Sequence, residues 1–218
     1  MQMTANRLKS RRYLIKNEVW SAVTHGVGIA LAITALVLLL VRAVPTGDWT
    51  RIWSFAGFGI ALIVLYTSST LFHALYFTRA RKVFQALDHS SIYVLIAGSY
   101  LPYCLVAIGG PLGVGLLITI WALCLTGILL DCLAASKRLH KIEVAIYVLL
   151  GWLCLIAMVP LWEHLGVIGF WLLVAGGVAY TVGALIYTRR SIPYIHVVWH
   201  VFVMVGSALM FVSIYLFV

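Results

Sequence analysis

Tyr194 to Val218 reads YIHVVWHVFVMVGSALMFVSIYLFV: 25 residues without one charged side chain. A bilayer core needs roughly 20 such residues in a helix, so this stretch reads as a membrane span. Its polar interruptions begin with His196 and His200. Residues four apart share a helix face, so the two imidazoles point the same way from the first turns of the span.

Working back from it, the whole chain has the same character. Its 218 residues are 64% hydrophobic and 10% charged, and the mean hydropathy is +1.08. A soluble domain carries about 25% charged residues; only lipid absorbs this much apolar surface. Seven apolar runs of spanning length are expected, at roughly 18–42, 50–76, 85–108, 112–135, 142–161, 167–187 and 194–218. Pro45-Thr46-Gly47-Asp48, the basic stretch Arg79-Ala80-Arg81-Lys82, Gly109-Gly110-Pro111, the stretch to Lys141, a polar turn Glu163-His164-Leu165-Gly166, and Arg189 to Pro193 separate them. The expected fold is an all-α integral membrane protein of seven transmembrane helices. It divides into a basic arm, residues 1–17, lying on anionic headgroups, and one membrane domain, residues 18–218.

Lys and Arg give the orientation. The arm carries five, the 2–3 loop three, the 4–5 loop three and the 6–7 loop two, against two, Arg42 and Arg51, on the other side. The positive-inside rule then places the N-terminus in the cytoplasm and the C-terminus outside, in a bacterial inner or plasma membrane. The net charge of +9 is therefore topological, and no nucleic-acid partner is expected. No cleavable leader is expected either: the run behind the arm is of spanning length and lacks a small-residue cleavage pattern. Cys104, Cys124, Cys132 and Cys154 lie in apolar runs without a C-x-x-C and read as buried thiols rather than disulfides. Gly26/Gly28, Gly57/Gly59, Gly113/Gly115 and Gly176-Gly177 offer close helix approach. Trp20, Trp49, Trp53, Trp162 and Trp171 fall near span ends, as interfacial anchors do.

On this topology the polar residues converge in depth. His73 ends span 2, Asp88 and His89 open span 3, and His196 and His200 open span 7, all on the cytoplasmic side. Ionisable groups within a membrane are costly and face a cavity or a partner. Three neutral imidazoles, His73, His196 and His200, suit Zn²⁺ with one position left for water, and the ion's undiminished charge would lower the pKa of that water towards about 7. Asp88 is the candidate base, and Ser69, one turn before His73, a hydrogen-bond partner for water or a carbonyl. All-imidazole ligation disfavours Mg²⁺ and Ca²⁺. Interhelical hydrogen bonding is the competing role for each histidine alone. Glu18, Ser21 and His25 share a face of span 1. Glu18 and His25 are candidates to orient the ligands, with capping and headgroup contact as the competing roles for Glu18 and Glu143. Asp131 and Arg138, seven apart, could pair across two turns. His89 lies about 100° round the helix from Asp88 and is not counted as a ligand.

These motifs, Ser69-x-x-x-His73, Leu87-Asp88 and His196-x-x-x-His200, resemble the signature of the haemolysin III and progestin/adiponectin-receptor (PAQR) superfamily. Asn17-Glu18, Thr24-His25-Gly26 and Ile96-Ala97-Gly98-Ser99-Tyr100-Leu101-Pro102 fit the same pattern. The short loops resemble its bacterial haemolysin III branch. The resemblance implies seven helices, an intracellular N-terminus and a zinc ion near the cytoplasmic face held by His73, His196 and His200. Asp88 would hold the metal's water and Ser69 would support the site. It also implies a connection with hydrolysis of lipid amides such as ceramide.

Four functional classes follow. One is a zinc-dependent intramembrane hydrolase of a lipid amide or ester, affecting membrane homeostasis. Another is a non-enzymatic sensor of membrane lipids with structural zinc. The third is a pore-forming cytolysin, against which stands the gathering of polar residues at one depth rather than along a path; a proton-coupled transporter meets the same objection.

Overall fold

The computed structural model describes residues 10–133, 139–189 and 191–218, and among these all regular structure is helical. The elements are α1 (Arg11–Ala43), α2 (Trp49–Ala74), α3 (Arg81–Pro102), α4 (Gly110–Leu133), α5 (Leu139–Trp152), α6 (Met158–Tyr187) and α7 (Ile195–Phe217). α3 continues as a π-helical segment, Tyr103–Ile108, and a 3₁₀ segment, Leu153–Ala157, joins α5 to α6. Six segments of the described chain are long and apolar enough to cross a membrane, which makes this a multi-pass membrane protein. Apolar side chains such as Val19, Leu31, Leu129, Ile168 and Val201 point outwards, as a lipid-facing surface requires, while Phe55, Phe58, Tyr93, Ile120, Leu161 and Ile214 fill the interior.

Local chemistry sets the helix ends. Ser10 caps α1, its hydroxyl accepting from the Tyr13 amide. The Asp48 carboxylate caps α2, accepting from the Thr50 and Arg51 amides. α1 therefore starts within the expected basic arm: Arg11, Arg12 and Lys16 belong to the helix, and residues 1–9 of the arm lie outside the described residues. Gly109 and Gly110 take positive φ between the π segment and α4, where the sequence places its break. The five tryptophans expected at span ends are all exposed.

One segment departs from expectation. Ile142–Tyr187 forms a single apolar stretch of 46 residues. As a straight helix it would measure about 69 Å, far beyond a bilayer core of about 30 Å. Yet the Trp152 indole donates to the Thr181 hydroxyl at 2.9 Å, and the same ring lies against Gly177. A straight helix would hold residues 152 and 181 about 43 Å apart, so the segment doubles back. The reversal centres on Gly166, whose φ of +62° and ψ of −176° interrupt α6. Glu163 and His164, expected in a polar turn, are helical instead. Glycine reaches this backbone region without a Cβ penalty, so a single residue replaces a loop.

The first leg of this hairpin is broken at the 3₁₀ segment, for an identifiable reason. The Tyr100 hydroxyl, from α3, donates to the Leu150 carbonyl at 2.8 Å and accepts from the Cys154 amide at 2.8 Å. Those two groups would bond to each other in an uninterrupted α-helix. The phenol is thus spliced into the ladder, a recognised cause of a helix break. The four cysteines are free.

α1 packs along α2, α2 along α3 and α6 along α7, with α7 also against α1. The turn before α7 is tied to the start of α1: the Tyr194 amide donates to the Tyr13 hydroxyl at 2.7 Å, and the two rings touch. Tyr194 itself takes a left-handed φ of +56° at the α7 N-cap. One end of α1, one of α2 and one of α7 therefore meet.

Tyr100→Phe keeps the ring and deletes the bridging hydroxyl. It should destabilise the protein by about 1–3 kcal/mol by orphaning two backbone groups, read as a lowered Tm in detergent, with Tyr76→Phe in the turn between α2 and α3 as the neutral control.

Candidate metal centre

Where α1, α2 and α7 meet, four imidazoles and a carboxylate lie in contact. Glu18 is 5% exposed and His73 4%. His73 Nδ1–H donates to Glu18 Oε2 at 2.7 Å, and Asn17 Nδ2 donates to the other carboxylate oxygen at 3.2 Å. Glu18 is thus neither a cap nor a headgroup contact; it fixes the His73 ring. On α7, His200 Nδ1 approaches the Ser21 carbonyl and the Thr24 hydroxyl, each at 3.2 Å. A carbonyl only accepts, so the proton sits on Nδ1. Both rings consequently turn Nε2 away from their anchors, towards each other and His196.

His73 Nε2 and His196 Nε2 are 3.0 Å apart. The ligand nitrogens of His73, His196 and His200 all lie within 4.8 Å of one another. Tetrahedral zinc with Zn–N near 2.05 Å sets neighbouring nitrogens about 3.3 Å apart, so the trio is dimensioned for one ion. The donor set agrees: neutral imidazoles with carboxylate and carbonyl partners on the far nitrogen are the usual arrangement of metal-ligating histidines. The residues fit a zinc ion.

Ser69 is 1% exposed, and its hydroxyl makes no regular hydrogen bond to the protein. It faces the half-buried Asp88 of α3, whose carboxylate also interacts electrostatically with His73. Asp88 is thus beside the histidine trio but not among the residues whose donor atoms converge. His73, His196 and His200, with Ser69 and Asp88 beside them, therefore lie in one polar cluster.

His25 was nominated only as an orienting partner, and it orients nothing by hydrogen bonding. Its ring stacks on His200, with centroids 3.5 Å apart and 11° between planes, and meets Tyr66 edge-on at 5.0 Å. Both its nitrogens, with Ser21 Oγ and Thr70 Oγ1, are buried without hydrogen-bond partners among the described residues. Buried polar atoms of this kind line spaces that take water or a ligand. The role of Thr24 is not visible in the sequence by spacing. It belongs to the Ser21 and His25 side of α1, and only the approach of α7 gives it His200.

Next to this cluster an apolar cavity of about 200 Å³ runs between α1, α2 and α7. Tyr66 and Ser207 line its inner part, and Leu31 and Leu38 line it too. Both leucines are exposed, so the cavity opens on the lipid-facing surface. Tyr66 touches the cavity on one side and His25 on the other.

Comparison with known proteins gives a consistent answer. A family model described as "Haemolysin-III related" matches residues 13–211. Hemolysin-3 of Bacillus cereus is 40% identical over 204 residues, covering 94% of this chain and 93% of that protein. The Hemolysin-3 homolog of Bacillus subtilis is 42% identical over 199 residues, covering 91% and 93%. More distantly, the human Monocyte to macrophage differentiation factor is 26% identical over 198 residues, covering 88% and 80%. With a matching family model over most of its length and two relatives at 40% identity or more, this multi-pass membrane protein belongs to the haemolysin III-related family.

Proposed function

We propose that the protein is a zinc-dependent hydrolase that acts on a lipid amide or ester within the membrane. The observation that carries the reading is the trio itself: three imidazoles, two of them anchored through Nδ1, with ligand nitrogens within 4.8 Å, beside a cavity open to lipid. His73, His196 and His200 would hold the ion. When bound, zinc supplies a Lewis acid that polarises a carbonyl and makes water nucleophilic near neutral pH.

The chain's own residues supply the rest. Asp88 takes the proton from the attacking water and returns it to the leaving amine or alkoxide. Ser69 donates a hydrogen bond to the oxygen that gains negative charge. Glu18 holds the His73 ring against rotation and balances charge. The cavity past Tyr66 takes an acyl chain, leaving the polar bond of the lipid at the inner, polar end. In the membrane, the reading places seven crossings with the N-terminus in the cytoplasm. The Lys and Arg distribution and the reversal at Gly166 support this.

The name of the Bacillus relatives favours a second reading, membrane lysis. Purified protein in liposomes separates the two: dye leakage at physiological protein-to-lipid ratios supports lysis.

Elemental analysis of wild type purified without chelator should show tightly held zinc that is lost in His73→Ala and His200→Ala. Asp88→Ala should keep that zinc and lose about 10²–10⁴-fold in turnover of a lipid amide or ester. Folded wild type devoid of metal would overturn the reading. Glu18→Ala should weaken zinc binding about 10- to 100-fold, measured by chelator competition, because His73 loses its orienting partner; the exposed neighbour Val19→Ala should not.

A further inference from the structure

A second group of metal-ligating side chains lies on the other side of α3. His89, Asp131 and Glu143 come from α3, α4 and α5, and one donor atom of each lies within 4.8 Å of the others. His89 Nδ1 is 3.7 Å from Glu143 Oε1. All three residues are half-buried, so an ion could reach them from the nearby bundle end.

The packing beneath them is built to hold this arrangement. Each ligand is paired with a residue four positions away on the same helix face: His89 with Tyr93, Asp131 with Gly127, and Glu143 with Tyr147. These three partners form a floor one turn deeper. Tyr93 and Tyr147 meet edge-on, with centroids 4.8 Å apart. Gly127 admits the Tyr93 ring, which any Cβ there would overlap; this draws α4 close to α3 and carries Asp131 over to His89. The Tyr147 hydroxyl donates to Glu143 Oε1 at 2.7 Å and reaches the His89 carbonyl at 3.4 Å. A ligating carboxylate is commonly held by an outer hydrogen bond in this way.

We infer that His89, Asp131 and Glu143 form a second metal site, for a first-row divalent cation. One imidazole with two carboxylates suits Zn²⁺ or Mn²⁺ and is too rich in nitrogen for a dedicated Ca²⁺ site. The expected pairing of Asp131 with Arg138 concerns a residue outside those described. The inference does not depend on the histidine trio, because none of the three ligands belongs to it.

The test is a count of metal equivalents by elemental analysis of detergent-purified, folded full-length protein loaded with Zn²⁺ and, separately, with Mn²⁺. Wild type is compared with Glu143→Gln, Asp131→Asn, Tyr147→Phe and His73→Ala. Glu143→Gln and Asp131→Asn should each bind one equivalent fewer than wild type, and Tyr147→Phe should bind it about 10- to 100-fold more weakly. Unchanged stoichiometry and affinity in both carboxylate variants overturns the site. Should Glu143→Gln not fold, the isosteric Asp131→Asn decides alone. His73→Ala reports on the other centre: it should keep the equivalent that Asp131→Asn loses, so failure of either site is read separately.

Discussion

The hydrogen bond between Glu18 and His73 is the constraint on which the site rests. A carboxylate and an imidazole are buried together in a bundle whose other surfaces face lipid. Neither is tolerable alone in such surroundings, because an unpaired ionisable group forfeits its hydration. Paired at 2.7 Å, they fix how far α1 may slide along α2. That register puts Ser21 and Thr24 one and nearly two turns further along, where the His200 nitrogen finds them. α7 is then held from two directions, by His200 inside the bundle and by the Tyr194–Tyr13 contact at its start. The orientation of His196 follows from these two attachments, and its ring meets His73 Nε2 through its own Nε2.

Much of this could be read in the sequence, for a physical reason. Hydropathy locates spans because lipid rewards apolar length irrespective of packing detail. Depth could then be inferred for His73, Asp88, His196 and His200, because a residue's place along a span fixes its height in the bundle. Rotation about the helix axis was less legible. The spacing of Glu18, Ser21 and His25 puts them on one face, but whether that face meets headgroups or α2 depends on packing. The structure assigns Glu18 to His73 and leaves His25 stacked on His200. The helix of α1 begins ahead of the apolar run, because helical hydrogen bonding continues from the Ser10 cap across Arg11 to Lys16, where hydropathy is low.

The hairpin shows a different limit. Glu163, His164 and Gly166 together look like a loop, since charge and glycine commonly mark one. Here the polar residues stay helical and exposed, and the reversal falls on Gly166. The break at Leu153–Ala157 has no local signature at all. Its cause is a hydroxyl from α3, some fifty residues earlier, that takes over one backbone hydrogen bond. A side chain inserted from another helix is a tertiary event, and no window of sequence contains both partners.

α3 carries the consequence furthest. Asp88 and His89 are neighbours in sequence but lie about 100° apart around the helix, so one turns to Ser69 and His73 while the other turns to Asp131 and Glu143. Sequence reasoning that asks which residues share a face discards His89 on that ground. The same 100° is what supplies a second face. A helix packed on both sides, against α2 on one and α4 on the other, can present different chemistry to each. The interruptions in α3, Pro102 and the π segment behind it, lie at its far end. Its first turns remain regular, so a rotation that improves the fit of Asp88 to one cluster necessarily moves His89 in the other. The two clusters are mechanically joined through a single turn of α3.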